Sequence, residues 1–176
     1  MRCFVAVELP PEAKALLSRV QHDAMNLGVN ASFPDGRGLH CTLAFLGEKS
    51  DDEVRQTMAQ LQQVRHNKFA AQVAGLGFFP SPAFGRVFWA GFESPGLTEL
   101  QKKIVEALAL AEDKPFAPHV TLARIRSKTN LPGLASYAQK QALSSSPFTV
   151  AEFVLKKSVL SPTGAIHETI AKFALV

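Results

Sequence analysis

Apolar and polar residues follow two different periods along this chain, and the changes of period mark its elements. Arg2 to Leu9 (RCFVAVEL) is rich in β-formers and runs into Pro10-Pro11, which predicts a strand and then a helix opening on Pro11. Leu17, Val20, Ala24 and Leu27 recur at helical spacing, and Gly28 closes the pattern. Residues 29–38 read as a loop with turn chemistry at Phe33-Pro34-Asp35-Gly36. A strand ending at Gly47 follows. Ser50-x-x-Glu53 is a capping box for a helix whose inner stripe is Val54, Met58, Leu61 and Val64. Phe69 to Phe79 is strand-like, with glycines at 75 and 77 predicting a bend or bulge. Arg86 to Glu93 is a further strand, and Ser94-Pro95-Gly96 leads into a helix carrying Leu97, Leu100, Ile104 and Leu108. The proline-flanked loop Lys114–Pro118 delivers another strand, and a short helix is expected between Pro132 and Leu143. Phe148–Leu160 and Ala165–Leu175 are expected to form a hairpin around Ser161-Pro162-Thr163-Gly164.

Two of these strands carry one pattern. The first reads Leu39-His40-Cys41-Thr42-Leu43-Ala44-Phe45-Leu46-Gly47, the second Pro118-His119-Val120-Thr121-Leu122-Ala123-Arg124. Side chains on a strand alternate between faces, so His40 shares a face with Thr42, and His119 with Thr121, while Cys41, Leu43, Val120 and Leu122 turn away. Two such strands across a cleft supply two imidazoles, one to take a proton and one to give it. Thr42 and Thr121 are suited to phosphate oxygens. Strict alternation places Arg124 on the opposite face, where a structural or solvent role is the plain reading, but a bulge at the strand's end or its own long side chain would bring it round, and its planar fork suits phosphate.

The chain is an imperfect repeat: each half runs strand, helix, loop, His-x-Thr strand, helix, strand. Arg2-x-Phe4-x-Ala6 is echoed by Arg86-x-Phe88-x-Ala90. The expected fold is α+β, one bilobal domain over residues 1–176. Two pseudo-symmetric lobes, each an antiparallel sheet with helices outside, would flank an active-site cleft.

Composition narrows the chemistry. No apolar run approaches the ~20 residues of a membrane span, and Glu8 and two prolines interrupt any secretory signal. Cys3 and Cys41 lack metal-ligand spacing and read as buried thiols of a cytoplasmic protein. A net charge of +4 without a block of like charges favours local capture of phosphate over a broad duplex-binding face. No metal or other cofactor is expected, and the chain is expected to act as a monomer. His22 and His66 read as solvent-facing helix residues. His167, on the last strand, reads as structural, with a place in the cleft as the alternative. Phe45, Trp89 and Phe92 are expected in the core; Phe4 and Phe88 fit either core or cleft.

The paired His-x-Thr segments, the opening Arg2–Pro10 and the late Leu155-x-x-Ser158-x-Leu160-x-Pro162-x-Gly164 resemble the two-histidine (2H) phosphoesterases. Within them, the likeness is to the bacterial and archaeal RNA 2′,3′-cyclic phosphodiesterases, also called 2′-5′ RNA ligases. One departure is His167, where similar proteins often carry an aromatic residue. The resemblance implies hydrolysis of 2′,3′-cyclic phosphate ends to 2′-phosphomonoesters. It also implies that His119 is the proton acceptor and His40 the proton donor, which the residues alone leave open. Thr42, Thr121 and Arg124 would bind the phosphate. Joining RNA ends through a 2′-5′ linkage, or reading RNA ends without catalysis, are the alternatives.

Overall fold

The computed structural model describes residues 1–161 and 164–176; the expected turn residues Pro162 and Thr163 lie outside them. Strand β1 (Arg2–Glu8) leads into helix α1 (Pro11–Asn26), with Pro11 at its first position and Gly28 at φ +69° just beyond its end. The region expected as loop contains a two-residue strand, β2 (Ala31–Ser32). Then come β3 (His40–Glu48) and α2 (Asp51–Leu61). The Ser50 hydroxyl accepts from the Glu53 amide at 3.3 Å and the Glu53 carboxylate accepts from the Ser50 amide at 2.8 Å, completing the capping box. Strand β4 (Phe69–Phe79), β5 (Val87–Glu93), α3 (Pro95–Ala107), β6 (His119–Ile125) and α4 (Leu131–Lys140) follow. The expected bend in β4 is a bulge at Gly75, φ +73°.

The expected strand Phe148–Leu160 is broken in two, β7 (Phe148–Val150) and β8 (Glu152–Ser161), before β9 (Gly164–Ala174). The break has a topological cause. β7 pairs with β4, whereas β8 pairs with β1 and β9, so the chain changes lobes at Ala151.

Pairing runs β7-β4-β5-β6-β3-β1-β8-β9, with β2 beside β6. The fold is α+β and antiparallel, with two similar four-stranded halves. The halves meet along one continuous path, through a single β3–β6 pair, Cys41 with Val120. Each half borrows from the other end of the chain: β4 of the first repeat pairs with β5, and β8 of the second pairs with β1. The internal symmetry is visible in the register. Cys41 and Val120 lie 79 positions apart, as do the partners Ala70 and Thr149, so repeat-equivalent residues face each other at both crossings of a pseudo-two-fold axis.

One apolar cluster backs both halves. Val5, Val7, Cys41, Leu43, Phe88, Ala90, Val120, Leu122, Phe153 and Leu155 are buried in it, with Leu17 and Val20 of α1 and Leu97, Leu100 and Ile104 of α3. The opposite sheet face carries the histidines. His66 corrects an expectation: it lies beyond α2, is 8% exposed, and packs edge-on against Phe69 with Nε2 3.4 Å from a Glu99 carboxylate oxygen. Exposed His22 is as expected.

Candidate active site

The single pair Cys41–Val120 builds the site. Both of its side chains are fully buried on the core side, where burial pushes the Cys41 thiol up to about 12. In an antiparallel ladder their neighbours on each strand then share the other face, with His40 opposite Thr121 and Thr42 opposite His119. The four side chains are half-buried and surround the symmetry axis.

Both imidazoles are tethered alike. Nδ1 of His40 donates to the Gly38 carbonyl and Nδ1 of His119 to the Ala117 carbonyl, each at 2.7 Å. A carbonyl only accepts, so Nδ1 carries the hydrogen and Nε2 is left to exchange protons.

Arg124 is brought to the same face by a bulge. The β5–β6 register steps from Phe88–Ala123 to Trp89–Thr121, leaving Leu122 without a partner. The β1–β3 register steps from Val5–Ala44 to Ala6–Thr42, leaving out Leu43, its repeat equivalent. One extra residue reverses the alternation beyond it. Leu122 and Ala123 are therefore both buried, Arg124 is exposed on the histidine side, and its charge bears on His167.

The same parity change corrects Phe45. It is 75% exposed rather than in the core, and lines the cleft. Trp89 also departs from expectation: it is half-buried on the cleft side, its indole against Gly77 and 5.1 Å from Phe79. Phe92 is in the core as expected. Phe4 stacks on His40 at 4.9 Å, whereas Phe88 is fully buried against Phe78.

A cleft of about 780 Å³ borders one side of the quartet, lined by Thr42, Phe45, Phe79, Arg86, Lys114 and His119 among others, with His40 and Thr121 outside its lining. A second hollow of about 740 Å³, between α4 and β4, is lined by Leu76, Phe78, Leu131 and Ala135 and holds no residue of the quartet. Thr42 and His119 make the first the candidate site.

Three residues gather near His40: His167, whose place in the cleft was the alternative reading, and Lys156 and Glu8, which the sequence reading did not single out. His167 meets His40 edge-to-face at 5.1 Å and Phe4 at 5.0 Å, with Nδ1 2.9 Å from the Ser158 hydroxyl. Lys156, 3% exposed, donates from Nζ to Glu8 and, at 3.1 Å, to Thr169. Glu8 had a signal in the sequence, since it ends an apolar strand on the face of Phe4 and Ala6. Lys156 had none, because Lys157 stands beside it and only pairing decides which lysine turns inward.

Electrostatics make His40 unusual. Burial lowers its pKa from 6.5 to about 4; the Gly38 hydrogen bond opposes this, and nearby His167 and Lys156 add to it. Burial, with Lys156 and Arg124, lowers His167 as well. Burial opposes ionisation of Glu8, but the hydrogen bond and charge of Lys156 outweigh it and hold the carboxyl below its usual range.

The His40 shift has a stability consequence. The unfolded chain binds the His40 proton below about 6.5 and the folded chain only below about 4, so folding loses stability as pH falls through that window. Denaturant melts at pH 7 and pH 4.5 are expected to show a smaller acid loss for His40→Ala than for the parent protein. An equal loss in both would contradict the buried neutral imidazole.

Residues 30–159 match the 2′-5′ RNA ligase superfamily. The chain belongs to that superfamily. Several proteins named RNA 2′,3′-cyclic phosphodiesterase match it almost end to end. One from Archaeoglobus fulgidus is 32% identical over 98% of this chain and 99% of its own. One from Thermus thermophilus is 33% identical over 99% and 90%. A solved Thermus thermophilus structure superposes with TM-score 0.81 at 28% identity, covering 99% of this chain and 97% of that one. The apo form of LigT from Escherichia coli shares the fold, with TM-score 0.79 at 24% identity over 99% of this chain and 96% of that one.

Proposed function

We infer that this chain is an RNA 2′,3′-cyclic phosphodiesterase, a hydrolase that opens the cyclic phosphate at RNA ends. The relatives matching its whole length carry that name, and the site supplies the chemistry. The observation that supports it most is the Cys41–Val120 pair, which sets two imidazoles with free Nε2 atoms and two hydroxyls around one point.

In this reading Nε2 of His119 takes a proton from the attacking water. Nε2 of His40 gives one to the departing 3′-oxygen, leaving a 2′-phosphomonoester. Thr42 and Thr121 donate to the non-bridging oxygens, and the Arg124 fork stabilises their growing charge. The low pKa of His40 bears on this division of roles. In the free protein His40 is neutral near pH 7, so the assignment requires the bound anionic phosphate to favour its protonation. The same proton transfers run backwards would join ends through a 2′-5′ linkage, and a free 5′-hydroxyl end is the substrate that tests for it.

Among the described residues no three or more His, Cys, Asp and Glu side chains form a metal-binding group. Turnover of a 2′,3′-cyclic nucleotide is therefore expected to persist in EDTA. Activity that vanishes on thorough metal removal and returns with added Mg²⁺ or Zn²⁺ would overturn the two-histidine mechanism. Phosphorus NMR of the product is expected to show the 2′-isomer.

Thr42→Val and Thr121→Val remove one donor each while keeping the branched shape. They are expected to lower kcat on the order of tenfold to a hundredfold, the worth of one charge-assisted hydrogen bond. Arg124→Lys keeps the charge but not the fork, and a measurable loss of kcat/KM is expected. Wild-type kinetics in that variant would remove Arg124 from the phosphate site.

Among the described residues no helix is long and apolar enough to cross a membrane. The proposal extends to a monomer working as one bilobal unit in the cytoplasm, in keeping with two free buried thiols and a shared core behind both histidines.

A further inference from the structure

His40 and His119 match in their strands, their Nδ1 tethers and their threonines, yet general acid–base catalysis needs them unlike. One must start neutral and the other protonated. Their surroundings do differ, and the register shows how. Glu8 is the cross-strand partner of His40, and Gly91 is that of His119. Moving outward, Lys156 pairs with Phe4, which pairs with Phe45; in the other half Phe79 pairs with Val87, which pairs with Arg124, the repeat equivalent of Phe45. One imidazole thus has a carboxylate and an ammonium beside it. The other has a glycine and a phenyl ring, Phe79, edge-on at 4.9 Å.

We propose that the Glu8–Lys156 ion pair is a positioning element that serves His40 alone: the Lys156 ammonium compensates the Glu8 carboxylate that faces His40 across the strands, and so keeps that carboxylate from raising the imidazole's proton affinity. This rests on the reading that these two histidines are the reacting pair. The Lys156 side chain is 4% exposed and that of Glu8 34%, so the ammonium is held in place on the protein side of the pair. Its contacts to Glu8 and Thr169 fix it on the sheet face that carries His40. A charge fixed in poorly solvated surroundings acts more strongly than one on a mobile surface chain.

Other charged groups face the cluster more loosely. Lys14 of α1 and Lys172 of β9 act on Glu8, but Lys14 donates to the Arg37 carbonyl and Lys172 pairs with Glu152. Arg124 of β6 and Lys156 act on His167, which in turn acts on His40. Lys156 is the cation bound directly to Glu8 among the described residues.

The directions are fixed by charge. Removing the ammonium leaves Glu8 uncompensated, so His40 holds its proton more tightly. Removing the carboxylate leaves Lys156 uncompensated, so His40 holds it less tightly. Removing both returns His40 toward its starting point.

The test is a histidine NMR titration of the full chain for Lys156→Met, Glu8→Gln and the double variant, with the pH profile of kcat/KM on a 2′,3′-cyclic mononucleotide alongside. Lys156→Met is expected to raise the His40 midpoint on the order of one pH unit, the scale of a nearby charge. Glu8→Gln is expected to lower it, and the double variant to bring it back, while His119 stays in place throughout. In the profile, the limb abolished by His40→Ala is expected to move with the NMR midpoint. Should Lys156→Met not fold, Glu8→Gln, altered at a partly exposed side chain, carries the test through the downward shift of the same limb. An unmoved His40 midpoint, or an equal movement of His119, overturns the proposal. Lower thermal midpoints with unchanged titrations would mean the pair is structural only, which overturns it as well. Because NMR reads the imidazoles without turnover, a protein inactive on cyclic phosphates would disprove the proposed function while leaving this test intact.

Discussion

His40→Ala and His119→Ala are each expected to lower kcat on a 2′,3′-cyclic nucleotide by about 10²–10⁴, the usual worth of one general acid or base. Both proteins should fold, because the imidazoles stand on the cleft face and neither belongs to the apolar core. Replacing both should cost less than the product of the single losses, since the two groups serve one transition state. Steady-state kinetics beside a circular dichroism spectrum checks this. Near-normal turnover in either single variant would end the two-histidine reading, whatever the binding of RNA.

Phe88→Ala should unfold the protein far more readily than Phe45→Ala, with a loss of about 3–5 kcal/mol for the first. The Phe88 ring is fully buried and stacked on Phe78, so its removal leaves a cavity under the sheet. Phe45, at 75% exposure, leaves no cavity, and its loss should stay within about 1 kcal/mol. Urea melts of the two variants measure the difference. Equal midpoints would mean that the bulge at Leu43 does not turn Phe45 outward.

Phe88 and its apparent counterpart Phe4 also mark where the internal echo misleads. The echo between Arg2-x-Phe4-x-Ala6 and Arg86-x-Phe88-x-Ala90 matches residues 84 positions apart. The pairing of β1 with β3 and of β5 with β6 instead makes Ala6 equivalent to Trp89 and Val7 to Ala90, 83 positions apart. A slip of one residue reverses the face, so Phe4 and Phe88, matched by the echo, lie on opposite sides of the sheet. The equivalence of His40 with His119 carried no such error, because the motif itself supplies the alignment.

By itself the sequence determined the elements, through local period, caps and prolines, and the capping box at Ser50 and the helix stop at Gly28 stand where they were read. It determined which four side chains share a face, because His and Thr two apart on a strand have no other choice. It also placed the chain in its family through those same motifs. Tertiary structure decided everything that depends on which strand lies beside which. It joined the two halves at Cys41 and Val120, split the late strand at Ala151 so that the chain changes lobes, and turned Phe45 and Arg124 toward the cleft by unpaired leucines. It also set Lys156 beside Glu8, 148 residues away. The physical reason is common to all of these. Period shows which residues share a face, but bulges and partners are set by hydrogen bonds between segments far apart, and no local pattern carries that register.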